Sequence, residues 1–208
     1  MGKAIGRLQV LTDLDVPVAP LDLVDDALAG GAAVIQVRAK ALDDRSLLAL
    51  ADQIVARCRR ARVTCLIDDR VDIALACRAD GVHVGDHDLP VAVARRLLGP
   101  EAIIGATARD PESARARVRD GADYLGVGPT YATDTKQGLP DPIGPAGVAA
   151  VAAAVAVPVI AIAGISLERV PEVMATGAHG VAVVGAVSRA VDRRRATAEL
   201  LAAVEAGR

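Results

Sequence analysis

Short apolar runs recur along the chain, and each gives way to a longer stretch in which apolar positions return every three or four residues. The runs at residues 7–12, 33–37, 63–67, 81–84, 102–104, 124–127, 157–162 and 180–184 predict buried β-strands. A strand covered on both faces reads as continuous Val, Ile, Leu and Ala rather than as an alternation. The stretches 21–29, 43–62, 71–78, 110–119, 145–154, 167–176 and 187–205, with another opened by Pro90, predict helices. Their ends are punctuated as helix ends should be. Gly30-Gly31 and Gly177 follow helices, Asp43 or Asp44 and Asp110 stand at N-caps, and Pro90 and Pro111 fit first turns.

The result is eight strand-then-helix units with a mean period of about 26 residues over 208. A local phrase recurs just before three strands: Ala79-Asp80-Gly81, Gly121-Ala122-Asp123 and Gly177-Ala178-His179. Strict alternation of this kind argues for a parallel sheet with helical crossovers. Eight such units argue for an α/β fold of the closed (β/α)8 kind, a TIM barrel, as a single domain over residues 1–208. An open, doubly wound sheet would need a glycine-rich fingerprint after the first strand. The sequence there is Asp13-Leu14-Asp15-Val16-Pro17, which has none.

Composition narrows the function. Hydrophobic residues make up 52% of the chain, enough for a sizeable core, and the net charge of −2 offers no basic footprint for nucleic acid. Tyr124 and Tyr131 are the only aromatic residues, which removes base-stacking platforms. Cys58, Cys65 and Cys77 have neither metal nor redox spacing and read as small core residues of a reduced, cytoplasmic protein. No apolar run approaches the ~20 residues of a membrane span.

In a barrel of this kind, chemistry belongs where strands end and helices begin. Polar residues gather at those ends: Gln36, Arg38 and Lys40; Asp68, Asp69 and Arg70; Asp86, His87 and Asp88; Thr107; Thr130 to Lys136; Gly164 and Ser166; Gly185. The sixth strand stands out, since a buried run ends in Gly128-Pro129 and then Thr130, Thr133, Thr135 and Lys136. Hydroxyls and an ammonium there suit an anion. The loop from about 129 to 143 is long for a strand–helix connection and is expected to act as a lid. Arg38, Lys40 and Lys136 bring three cations, and Asp69 and Asp88 bring carboxylates from neighbouring strands. They read either as plain ion pairs or as ligands that share Mg²⁺ with substrate phosphates. Gly164 to Ser166 and Gly185 to Val187 open helices after strands seven and eight, which suits a second anion. His83 reads as a packed strand residue, His87 as a mouth residue between two aspartates, and His179 lies at the opposite end.

With these residues in place, the chain resembles the thiamine phosphate synthase family over nearly its whole length. The resemblance is carried by Gln36-Val37-Arg38-Ala39-Lys40, Asp69-Arg70, Asp80 to Gly85 with Asp88, Gly121 to Tyr124, Gly126 to Pro129, Thr133 to Lys136 and Ile162 to Ile165. It implies a barrel that joins the pyrophosphate ester of a hydroxymethylpyrimidine to a thiazole phosphate through a pyrimidine carbocation. By that resemblance, Gln36, Arg38, Lys40 and Lys136 hold the pyrimidine pyrophosphate, with Arg38, Lys40 and Lys136 acting catalytically. Asp69 and Asp88 hold Mg²⁺. Thr133, Thr135 and Gly164, with the backbone at Val184 and Gly185, hold the thiazole phosphate, and Asp68 and Thr107 complete the substrate contacts. The expected partners are small-molecule substrates, with no nucleic acid or membrane, in a chain that forms a homo-oligomer or none.

The chain also departs from the family pattern. Asp68 stands where Asn is usual, Asp86 where Gln is usual, Thr107 where Ser is frequent, Ala163 where Gly is frequent, and Gly185 where Ser is common. The two extra acids keep two alternatives open: a thiazole tautomerase of the same fold, and a non-catalytic barrel that binds phosphorylated thiazole or pyrimidine. Retention of Arg38, Lys40, Asp69, Asp88 and Lys136 argues against the tautomerase.

Overall fold

A computed structural model describes residues 5–12, 18–135 and 138–207. Eight parallel strands close in sequence order into a barrel: β1 (Leu8–Leu11), β2 (Val34–Val37), β3 (Thr64–Asp68), β4 (Gly81–Val84), β5 (Ile103–Ala108), β6 (Tyr124–Val127), β7 (Val159–Ile162) and β8 (Gly180–Val183). Around them run α1 (Pro20–Ala29), α2 (Asp44–Ala61), α3 (Val71–Ala76), α4 (Val91–Leu98), α5 (Pro111–Arg119), α6 (Gly144–Ala152), α7 (Val170–Met174), α8 (Gly185–Ser188) and α9 (Arg193–Ala206). Among the described residues, no helix is long and apolar enough to cross a membrane.

Alternation along each strand divides the apolar residues between two cores. Leu8, Val10, Ile35, Val37, Ile67, Val82, Leu125 and Val181 face outward and pack with the helices. Leu11, Val34, Leu66, Ile103, Tyr124, Ile160 and Ala182 pack together inside the barrel. Cys58, Cys65 and Cys77 are buried and unbridged in the outer core. The interior is therefore filled in layers, and room for a ligand lies at the end where the strands finish.

The phrase that precedes three strands turns out to be a set of fasteners at the end away from the mouth. The carboxylate of Asp80 accepts the Cys65 N–H at 2.7 Å, and that of Asp123 accepts the Ile104 N–H at 2.8 Å. Arg95 donates to Asp123 at 2.6 Å and to the carbonyls of Ala102 and Gly121, joining α4 to the starts of β5 and β6. His179 meets the Ile5 carbonyl at 3.0 Å. Each satisfies a backbone group that the ladder leaves open at a strand's start.

The structure corrects two boundaries. The fifth strand does not end at residue 104 but runs to Ala108. Gly105 lies within that strand: a Cβ there would lie 2.2 Å from the Tyr124 ring, so glycine is required by packing inside the barrel. The last helix is not continuous over 187–205. One turn, α8, starts directly at Gly185, and α9 starts afresh where the Asp192 carboxylate caps the Arg195 N–H at 2.9 Å.

Candidate active site

A cavity of ≈ 620 Å³ opens at the end of the barrel where the strands finish. Gln36, Arg38, Lys40, Asp68, Asp69, Asp88, Thr107, Thr133, Thr135, Gly164, Val184 and Gly185 all line it. Lys136 lies outside the described residues.

The wall formed by β2, β3 and β4 is ionic. Thr12 fixes the end of β2, donating to the Arg38 carbonyl at 2.9 Å and accepting the Arg38 N–H at 2.8 Å. Beyond it, Gln36 donates its amide N–H to Asp68 at 2.7 Å, and the Arg38 guanidinium lies 3.8 Å from the same carboxylate. Burial pushes the Asp68 carboxyl above the usual carboxylate range, against the opposing pull of Lys40, Arg38 and Gln36. Lys40 contacts Asp69 at 2.5 Å. Burial lowers its ammonium pKa, but the contact with Asp69 and the nearby charge of Asp68 outweigh that, so Lys40 is held above its ordinary value.

Asp69 sits at φ +63°, a left-handed conformation that a short polar side chain tolerates and that turns its carboxylate off the line of β3. The Asp88 carboxylate accepts the Gly85 N–H at 2.7 Å. Burial raises its pKa, and the adjoining Asp69 raises it further. Two carboxylates brought side by side suit a hard cation. Among the described residues, no group of three or more His, Cys, Asp or Glu side chains is disposed to hold a metal, so this pair would leave most of a cation's shell to phosphate oxygens and water.

The wall formed by β6, β7 and β8 is nearly uncharged. Thr133 and Thr135 hydroxyls lie 3.2 Å apart on the long loop between Val127 and α6. Ala163 and Gly164 follow β7 with φ of +75° and +67°. A Cβ on Gly164 would lie 2.7 Å from both the Ala132 carbonyl and the Tyr131 Cβ, so the loop packs directly on that glycine. Ala163, by contrast, holds its positive φ with a side chain in place, at a cost of roughly 1 kcal/mol. The loop is tied down at described points on both arms. Tyr131 donates to Glu172 at 2.6 Å beneath the Arg169 guanidinium, Asp134 pairs with Arg189 at 3.0 Å, and the Asp141 carbonyl accepts from Arg109 at 2.6 Å.

Between the walls, the floor is Leu11, Ile160, Ile162 and Ala182, with three polar side chains among them. His83 bridges the Tyr124 hydroxyl at 3.0 Å and Thr107 at 3.2 Å, as a packed residue should. Gln9 is 1% exposed, lines the cavity, and has an amide nitrogen with no partner among the described residues.

The departures from the family pattern separate here. Asp86 turns outward to Arg117 of α5 at 2.7 Å, and its half-exposed carboxylate is neutralised at the rim. Asp68 is the acid that lies among the cations. His87 is exposed at the rim. Three lining residues escaped sequence reasoning. Gln9 was an unremarked polar position in a strand that otherwise reads LQVL, and its inward parity was the available signal. Arg109 was hidden because β5 was ended too early. Arg189 was hidden in a helix assumed to be continuous.

The chain is similar to known proteins along nearly its whole length. A family model described as thiamine monophosphate synthase matches residues 10–187. The thiamine-phosphate synthase of Salinispora tropica is 48% identical over 205 residues, covering 97% of this chain and 99% of that one. That of Chlorobium luteolum is 44% identical, covering 94% and 91%. Among solved structures, a thiamine phosphate pyrophosphorylase from Pyrococcus furiosus superimposes with a TM-score of 0.89 at 38% identity, covering 97% of this chain and 96% of that one.

Proposed function

The chain belongs to the thiamine monophosphate synthase family, and from that premise we propose that it joins hydroxymethylpyrimidine pyrophosphate to thiazole phosphate, giving thiamine phosphate and pyrophosphate. The observation that carries the reading is the division of one cavity into an ionic wall and a neutral wall, one for each phosphorylated substrate.

In this reading the pyrimidine's pyrophosphate lies against Arg38 and Lys40, with Lys136 supplied from the long loop. The bond from the methylene carbon to the pyrophosphate oxygen breaks, and its electron pair leaves with pyrophosphate. The thiazole nitrogen then donates its lone pair to the carbocation. No proton moves, which agrees with a site whose half-buried His83 is engaged with Tyr124 and Thr107. The work left to the protein is placement and stabilisation of developing charge. Lys40 and Arg38 start out paired with Asp69 and Asp68 and would turn to the phosphate oxygens as these arrive. Asp69 and Asp88 would hold Mg²⁺, which as a Lewis acid offsets the charge on the departing pyrophosphate. Thr133, Thr135, Gly164 and Gly185 would hold the thiazole phosphate through hydroxyl and backbone donors.

The test is an assay with both substrates, with and without EDTA, alongside calorimetric binding of thiazole phosphate. Product formed only with Mg²⁺ supports the synthase. Thiazole isomerisation that survives EDTA would identify a tautomerase. Tight binding of either substrate without turnover would identify a binding protein.

A further inference from the structure

Gln9 and Gln36 stand on adjacent strands and both point into the barrel, where β1 and β2 pair Gln9 with Val34 and Leu11 with Gln36. Gln36 is thus one interior layer nearer the mouth. Its amide N–H is already given to Asp68 at 2.7 Å, which leaves its carbonyl oxygen as the group to offer a ligand, an acceptor. Gln9, a layer deeper, has the opposite endowment. Its side chain is buried, yet its amide nitrogen has no partner among the described residues and faces a floor otherwise built of Leu11, Ile160 and Ala182. A buried donor left unpaired costs free energy, and such a group in a cavity is an argument for a ligand acceptor opposite it.

An acceptor at the upper level and a donor at the lower one match one edge of an aminopyrimidine. The exocyclic amine is a donor, and the ring nitrogen beside it is an acceptor. The pyrophosphate arm, on the ring carbon next to the one bearing the amine, must rise toward Arg38 and Lys40. That orientation puts the amine level with Gln36 and the ring nitrogen one layer below. We infer that Gln9 is a specificity-determining residue that donates its amide N–H to this ring nitrogen, while Gln36 accepts from the amine. The inference rests on the synthase reading. It adds to that reading a residue that sets which heterocycle enters, through the division of labour that Asp68 imposes on Gln36.

The probe is the pyrimidine pyrophosphate compared with its analogue in which that ring nitrogen is replaced by C–H. Calorimetric Kd values come first, because the replacement also alters reactivity. The unmodified protein should bind the analogue about tenfold to a hundredfold more weakly, since a site built around a hydrogen bond rejects a ligand that leaves its donor bare. Gln9→Met, which keeps the length of the side chain, should weaken the natural ligand by a similar factor and bind the two ligands equally. Thiazole phosphate affinity should not change. Equal affinity of the unmodified protein for the two ligands overturns the inference, and it does so even if the variant fails to fold. Retained discrimination in a folded Gln9→Met overturns it as well. Absence of turnover in the unmodified protein defeats the synthase reading alone, and the calorimetric comparison still decides the role of Gln9.

Discussion

The two walls of the cavity solve different electrostatic problems. On the side of β2 to β4, every charged group described is held by an opposite charge or an amide: Lys40 by Asp69, Arg38 and Gln36 by Asp68, Asp86 by Arg117. On the side of β6 to β8, the cavity is lined by hydroxyls, glycines and backbone, and the charges there are those of the largely exposed pair Asp134 and Arg189. A leaving pyrophosphate gains charge during the reaction, and mobile cations and a metal can follow that change. A phosphate that is only gripped keeps its charge, and fixed neutral donors suffice without the desolvation cost of buried ions. In the proposed reaction the walls differ because one would serve a group whose charge changes and the other a group whose charge does not.

The strongest way to break this contrast is to neutralise the ionic wall. If Asp69 and Asp88 hold the proposed Mg²⁺, Asp69→Asn and Asp88→Asn should each lower turnover by about a hundredfold, while thiazole phosphate affinity stays within about twofold. Steady-state rates and calorimetry on the same preparations check both halves. A parallel fall in thiazole phosphate binding would show that the walls are not independent.

The reciprocal experiment acts on the neutral wall. Gly164→Ala forces a side chain into a left-handed residue and against the Ala132 carbonyl. It should weaken thiazole phosphate about tenfold, from roughly 1–2 kcal/mol of strain, with the KM for pyrimidine pyrophosphate unchanged.

Asp68 sharpens the contrast through pH. Its carboxyl is held above the usual carboxylate range by burial. Below that range both folded and unfolded chains carry the proton, and Asp68 costs nothing. As pH rises from the ordinary value toward the raised one, the unfolded chain loses its proton first and stability falls; above the raised value the cost is constant. Asp68→Asn should therefore melt a few degrees higher at pH 7. The gain should vanish below about pH 4. Thermal melts across pH read this directly, and a gain that persists in acid would contradict it.

The smallest effect belongs to Ala163. Ala163→Gly relieves a positive φ of +75° and should add about 0.5–1 kcal/mol of stability, measured by denaturant unfolding. Turnover should be unchanged.

Much of this was legible in the sequence because a buried parallel strand is a simple signal. Each run of Val, Ile, Leu and Ala became a strand, and polar residues after it fell at the mouth by topology alone. Where reading failed, one residue served a purpose that only three dimensions reveal. Gly105 fell outside the predicted fifth strand because the reason for a glycine there, Tyr124 across the interior, lies 19 positions away in sequence. Asp86 looked like a charge added to the site, and its partner Arg117 lies on another helix. The partnership of Asp134 with Arg189 spans 55 positions and leaves no local trace. Gln9 was legible in principle, since a polar residue of inward parity beneath a strand's end is an anomaly that alternation exposes.

The scarcity of aromatic residues has an optical consequence. With no Trp, the ultraviolet emission of this protein comes from Tyr124 and Tyr131 alone. One forms the cavity floor, hydrogen-bonded to His83, and the other begins the long loop, fixed by Glu172 and Arg169. The molecule therefore carries two native fluorophores at the base and the edge of its cavity against a dark scaffold. A single Trp introduced elsewhere would report its own surroundings with no background, and titrations of either substrate can be followed by light without any attached dye.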